Sequence, residues 1–280
     1  MATVAALLAA GAARLSATSP SPRLDAELLL AHVTGLSRIR FVADPGLVVD
    51  SAHERFFEEL IARRSLHEPV AYLVGEKEFY GLEFEVGPAV LVPRPETELV
   101  VEVALSTLPR GPVRFLDLGT GSGCIAVALA HTIRARGVAV NGIAVDVSAA
   151  ALSVAERNIA RHGLSDVIAC RVGCWFEPVA PTERFDVIVS NPPYIEPGDP
   201  AVSPEVHFEP LTALYAPHGG LSHLVHIFEH GPAFLSSSGA IVCECGSRQR
   251  PALEAGGLGA LEFRRDLAGQ ERVVVRRVGL

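Results

Sequence analysis

Lysine is almost missing from this chain: of its 24 basic residues only Lys77 is one, and arginine carries the remainder. A phosphate-cradling P-loop needs a lysine beside its glycines, and the glycine-rich stretch at 119–123 has none, so that class is excluded. Runs of like charge are also absent. With a formal net charge of -8, tight binding to nucleic acid through phosphate neutralisation is not expected. The five cysteines, Cys124, Cys170, Cys174, Cys243 and Cys245, are odd in number and scattered, which suits no disulfide framework. Their closest pairs lack the two-residue spacing of a zinc knuckle, and no metal is expected. No repeat or low-complexity segment occurs. The opening run, MATVAALLAAGAARL, is too short to span a bilayer and has no positive charge ahead of it. It reads as an amphipathic helix, and the expectation is a cytoplasmic protein with no membrane association.

The 280 residues suit one large domain or two of ordinary size. Up to about residue 75, apolar residues recur three and four apart, as at Leu24 and Leu28 and at Phe56 and Leu60, between turn signals at SPSPR, TG and DPG. This predicts a helical domain over 1–73. Residues 74–92 switch to near alternation around glycines and predict a β-hairpin linker. A second domain is expected over 93–280, and from Val113 onward its strand-like and helical runs alternate: VRFLDLG, IAVALAHTI, VNGIAVDV, then AALSVAERNIARHG. That order implies βαβ units and a parallel sheet buried on both faces. Ser148 is the expected N-cap of the last helix and Gly163 its stop. Later strands are expected near 185–189, 239–245 and 272–275.

LDLGTGSGC, residues 116–124, ends the first of these strands and opens a helix. Gly119, Gly121 and Gly123 let backbone approach a ligand, and with Thr120 and Ser122 they lie where a helix offers free amide hydrogens. A dinucleotide fingerprint wants its third small residue one place later, where Cys124 stands, so the loop fits NAD poorly. Asp146 ends the second strand, where a carboxylate can accept both hydroxyls of an adenosine ribose. The glycine loop and the acid together resemble those of the methyltransferases that use S-adenosylmethionine (SAM) and release S-adenosyl-L-homocysteine. That resemblance implies a Rossmann-like, doubly wound sheet with an antiparallel last hairpin. It also places Trp175 against the adenine, although Cys174 stands where the class often has an acid.

FDVIVSNPPY, residues 185–194, runs a buried-looking strand into an amide, two prolines and a ring. A nitrogen conjugated to a carbonyl or aromatic ring has a delocalised lone pair and is a poor nucleophile. The side-chain oxygen of Asn191 and the backbone oxygen of Pro192 can accept both hydrogens of such an NH2 group and aim its lone pair at a methyl donor. Pro192 and Pro193 fix the backbone so that the acceptors are already oriented, and Tyr194 can stack on the planar group. The motif fits an amino-base substrate and a glutamine equally.

RLDAELLLAHVTG, EPVAYLVGEKEFYGLEF, LVPRPETE, NPPYIEPGDP and FEPLTAL together resemble the peptide-chain release factor glutamine N5-methyltransferases, from about residue 20 to 273. The resemblance implies a helical substrate-docking domain, a hairpin linker and a SAM-binding catalytic domain. As substrate it implies the glutamine of the Gly-Gly-Gln loop of bacterial class 1 release factors, whose methylation tunes translation termination. Arg94, between two prolines, is read either as a substrate contact or as linker geometry. Phe208, Glu209 and Pro210 are read as a lid or as a loop anchor. VCECGSRQR departs from the family's pattern of an acid and glycine followed by glutamine, and no function is carried over to it.

The other reading is methylation of adenine in DNA or of a base in RNA. Such an enzyme should carry a basic or aromatic recognition segment. Residues 1–75 hold seven arginines and eight acids, a net of -1, which suits docking on a protein better. The expected state is a monomer without stable nucleic acid.

Overall fold

The computed structural model describes residues 1–199 and 202–278, so Pro200, the last residue of NPPYIEPGDP, lies outside the described residues. The described chain forms two compact units: Met1–Glu76 with Ser203–Phe208, and Lys77–Val202 with Glu209–Leu280.

The first unit is helical: α1 (Val4–Leu15), α2 (Pro22–Thr34), α3 (Arg38–Ala43), α4 (Ser51–Arg64) and α5 (Val70–Val74). Local chemistry sets the ends. Thr3 accepts the Ala6 amide ahead of α1, Pro22 opens α2, Gly35 closes it at φ 67°, and Asp50 accepts the Ala52 and His53 amides ahead of α4. Gly11 lets α1 and α4 pack closely, since a Cβ there would stand 2.9 Å from the Phe57 ring. The periodicity is helical as expected, but the buried stripe is turned by about one residue. Ala26, Leu29, Leu30 and Val33 face the core with Phe57, Leu60 and Ile61, whereas Leu24 and Phe56 are 39% and 43% exposed. Asp25 shares the buried side of α2, where Arg64, itself buried, donates to it at 2.7 Å and the Ser19 hydroxyl adds a second 2.7 Å bond. Apolar spacing cannot foresee an inward-facing ion pair. Arg64 also holds Glu205 of the Ser203–Phe208 segment at 2.6 Å.

In the second unit a short hairpin, β1 (Glu76–Phe79; its first residue closes the other unit) and β2 (Leu82–Glu85), precedes α6 (Glu98–Thr107). Then β3 (Val113–Leu118), α7 (Cys124–Ala135), β4 (Val140–Asp146), α8 (Ala149–Arg161), β5 (Ile168–Val172) and β6 (Phe185–Ser190) alternate. The single turn α9 (Pro217–Gly220), α10 (Ser222–His230), β7 (Leu235–Glu244), α11 (Arg250–Ala255), β8 (Glu262–Arg265) and β9 (Glu271–Arg277) complete it. The seven-stranded sheet has the order β5-β4-β3-β6-β7-β9-β8, with β9 antiparallel to β7 and β8 antiparallel to β9. This is the doubly wound, mostly parallel α/β architecture expected, with its antiparallel last hairpin. Its central strands are near-continuous apolar runs because both faces are covered. Val100, Val127 and Phe115 belong to the core on one face, and Leu118, Ile227 and Phe228 to that on the other. Phe79 and Phe84 carry the hairpin into the first of these cores. Ser148 caps α8 by accepting the Ala151 amide, and Gly163 lies two residues past its end at φ 65°.

Strand order reverses at β3. From there the chain steps outward to β4 and β5, then returns to place β6 on the other side. Such a switch point opens a crevice at the carboxyl ends of the strands. Leu118 stands level with Val145 of β4 and Ser190 of β6, so the glycine loop, Asp146 and Asn191 all emerge at that edge.

Candidate active site

The glycine loop is shaped by its own backbone. The amides of Gly119 and Thr120 both donate to the Val145 carbonyl, at 2.8 and 2.9 Å, and Gly119, Gly121 and Gly123 take φ of 70, 55 and 80°. These are left-handed values that favour glycine. Asp146 braces the loop: one carboxylate oxygen accepts the Gly121 amide and the other the Ser148 amide, each at 2.9 Å. Burial nevertheless holds its pKa above the usual carboxylate range. Below the loop Asp117 is fully buried, accepts the Thr120 hydroxyl on Oδ2 at 2.7 Å, and has no protein partner for Oδ1. Burial pushes its carboxyl up to about 7.

The NPPY segment leaves β6 and is held from several sides. Asn191 donates its side-chain NH2 to the Thr97 hydroxyl at 3.1 Å. That hydroxyl donates onward to Glu244 Oε2 at 2.6 Å, and the Tyr194 hydroxyl donates to Glu244 Oε1 at 2.7 Å. Glu244 is only 1% exposed, and burial raises its pKa. Desolvation and the neighbouring Glu244 charge push the Tyr194 phenol well above its ordinary range. Gln249 donates to the Tyr194 carbonyl at 3.1 Å, and Ile195 exchanges backbone bonds with Leu214 and Ala216.

A cavity of about 350 Å³ lies in front of this edge. Gly119, Thr120, Gly121, Ser122, Asp146, Trp175, Asn191, Pro193 and Arg94 line it, as does Thr97. Trp175 sits at φ 49°, a strained value for a side-chain-bearing residue, with the His223 ring 5.1 Å from its own. Four of the site residues expected from the sequence are not on the wall. Gly123 sits behind it, where a Cβ would come within 3.2 Å of Ala155. Pro192 forms the turn between Asn191 and Pro193. Tyr194 packs beside the apolar core behind the sheet edge with its hydroxyl on Glu244. Glu209 is buried and forms an ion pair with Arg94 while accepting the Val92 amide at 3.1 Å.

Sequence reasoning missed Thr97, Glu244 and Gln249. Thr97 stood inside the quoted LVPRPETE. Glu244 had a readable signal, since an acid ending the apolar run AIVCE at a sheet's carboxyl edge needs a buried partner. VCECGSRQR therefore carries the acid, glycine and glutamine of the expected pattern after all, as Glu244, Gly246 and Gln249, with Gln249 also accepting the Gly246 amide at 2.8 Å.

The family model for the PrmC N-terminal domain matches residues 6–75, and that for the methyltransferase small domain matches 97–207. The release factor glutamine methyltransferase of Aliivibrio fischeri is 39% identical over 262 residues, covering 92% of this chain and 90% of that one. That of Bordetella pertussis is 44% identical over 258 residues, covering 90% and 93%. The chain belongs to the release factor glutamine methyltransferase family. Its fold extends further: the T. thermophilus 16S rRNA N2 G1207 methyltransferase, solved with AdoMet and guanosine, matches with a TM-score of 0.53 at 19% identity, over 72% of this chain and 49% of that one. At that identity the likeness speaks for the Rossmann-like fold alone. Among the described residues, no helix is long and apolar enough to cross a membrane, and no His, Cys, Asp and Glu cluster suits a metal ion.

Proposed function

We propose that this protein transfers a methyl group from SAM to the side-chain amide nitrogen of the glutamine in the Gly-Gly-Gln loop of bacterial class 1 release factors. The names of its relatives support the substrate, and the cavity supports the cofactor. A glycine loop braced by a strand-end carboxylate, a tryptophan and a cavity of about 350 Å³ suit an adenosine-bearing ligand. Asp146 keeps a second lone pair on each oxygen for the ribose hydroxyls, Trp175 offers a face for adenine, and residues 119–122 line the methionine side, with Gly123 behind them. SAM, when bound, supplies a methyl group on an electrophilic sulfonium.

The observation that carries the reading is the orientation of Asn191. Its NH2 end is taken by Thr97, so its carbonyl end is the one available to a substrate. With the backbone oxygen of Pro192 it accepts both hydrogens of the glutamine amide and localises the nitrogen lone pair. The two oxygen dipoles also favour the positive charge that develops on nitrogen, and a proton leaves to water afterwards. Pro193 stiffens the segment, and Tyr194, anchored on Glu244 behind the wall, holds its far end. Arg94 and Glu209, as a pair, shape the cavity edge near the incoming loop. The helical unit, 1–73, followed in the chain by the hairpin linker at 74–92, is the docking module for the protein substrate. The protein acts as a monomer in the cytoplasm.

The test is transfer of labelled methyl from SAM to purified release factor, with a glutamine-to-alanine factor in a parallel reaction and DNA and RNA as competing acceptors. Label in the wild-type factor alone supports the proposal. Label in nucleic acid instead overturns the substrate while keeping the NPPY chemistry.

A further inference from the structure

The chain of hydrogen bonds behind Asn191 has a direction, and the direction is set at its buried end. A carboxyl oxygen that accepts a hydroxyl hydrogen leaves that hydroxyl with lone pairs alone for its other neighbours. Glu244 takes one hydroxyl on each oxygen, from Thr97 at 2.6 Å and from Tyr194 at 2.7 Å. Thr97 has a single hydroxyl hydrogen. Once that hydrogen points at Glu244, its oxygen faces Asn191 with lone pairs alone. The Asn191 side chain can then meet it only with its NH2 end, as found at 3.1 Å. Turning the amide over would set its carbonyl oxygen against the Thr97 oxygen, two acceptors with no hydrogen between them, at a site where Thr97 is 2% exposed and water has little access.

We propose that Glu244 and Thr97 are positioning residues that fix which end of the Asn191 amide faces the methyl-accepting nitrogen. This inference rests on the proposed function and deepens it. An acceptor NH2 group must be met by an oxygen, and a flipped Asn191 would present two N–H donors to the two N–H donors of the substrate. The same carboxyl group accepts from Tyr194, so one buried side chain fixes both ends of the NPPY segment. Neither Glu244 nor the Thr97 hydroxyl need touch the reacting atoms. Their effect belongs in turnover rather than in cofactor affinity.

The experiment compares Thr97→Val, which keeps the shape and removes the hydroxyl, with Thr97→Ser, which restores it. With release factor as acceptor, Thr97→Val is expected to lower kcat on the order of 100-fold, with SAM affinity by calorimetry little changed, and Thr97→Ser is expected to recover turnover. Wild-type kcat in Thr97→Val would overturn the inference, as would an equal loss in the valine and serine variants. A second measurement needs no acceptor. The Asn191 side-chain NH2 resonance in a 15N spectrum, assigned by its loss in Asn191→Asp, should be protected from exchange in the wild type and in Thr97→Ser but not in Thr97→Val. Equal protection in all three overturns the inference whatever the substrate is. Absence of methyl transfer to the glutamine by the wild-type enzyme, with the protection pattern intact, overturns the functional reading alone.

Discussion

Arg94 and Glu209, 115 residues apart in the sequence, meet as an ion pair whose carboxylate side chain is wholly buried while the guanidinium stays one-third exposed. The pair joins the loop ahead of α6 to the end of the long segment after NPPY. A buried charge that loses its partner is costly, even though an intact pair adds little over an apolar one.

Arg94→Ala should therefore destabilise the protein by on the order of 3 kcal/mol, because Glu209 would keep only the Val92 amide. Chemical denaturation measures the loss. Arg94→Met combined with Glu209→Leu removes both charges and should recover part of it. If Arg94→Ala alone leaves the midpoint unchanged, the pair is not an anchor and its arginine is free to serve the substrate.

Gly220 lies at φ 77°, and a Cβ built on it would stand 2.0 Å from the Tyr194 carbonyl oxygen and 2.8 Å from the Gln249 amide nitrogen. The oxygen belongs to the backbone of the motif and can move only with it. Gly220→Ala is expected to displace the NPPY turn and lower kcat by at least about tenfold, with a smaller effect on SAM binding. Steady-state kinetics beside calorimetry would show it. Undiminished turnover would mean that the turn tolerates the shift.

Asp117 predicts a pH dependence with a definite sign. An aspartate in the unfolded chain releases its proton near its ordinary 3.8, and here burial moves that to about 7. Between those values the folded state holds the extra proton, so this group makes stability fall as pH rises through the window and leaves it level above. The full difference is worth up to roughly 4 kcal/mol. Melting temperatures of wild type and Asp117→Asn, followed from pH 4 to 8 without SAM, should converge at the acid end, with the variant gaining toward pH 8. Parallel curves would show that Asp117 is ionised throughout.

The parts legible in the sequence were those written in local patterns. Alternating runs gave the parallel sheet, Ser148 and Gly163 bounded α8, and three glycines with Asp146 and Asn191 converged on one edge as their positions at strand ends implied. Contacts between distant segments were not legible. Nothing near Asn191 announces that its amide leans on Thr97, or that the acid closing β7 lies behind both, because those partners are 94 and 147 residues apart along the chain. The same holds for Asp25 and Arg64, an ion pair between residues 39 apart in the chain that lies among the buried residues of the helical unit. Buried polar pairs follow tertiary proximity, and apolar periodicity does not see them.

The segment Ser203–Phe208 groups with the helical unit while its flanks on both sides group with the other. The polypeptide therefore passes between the units three times, near 76, 202 and 208, and no single cleavage yields two self-contained halves. A fragment beginning at Lys77 would carry Glu205 without Arg64, and one ending at Glu76 would keep Arg64 without Glu205. In evolutionary terms the helical unit is not a detachable cassette: recombination that exchanged residues 1–76 alone would have to bring a matching partner for the loop that follows NPPY.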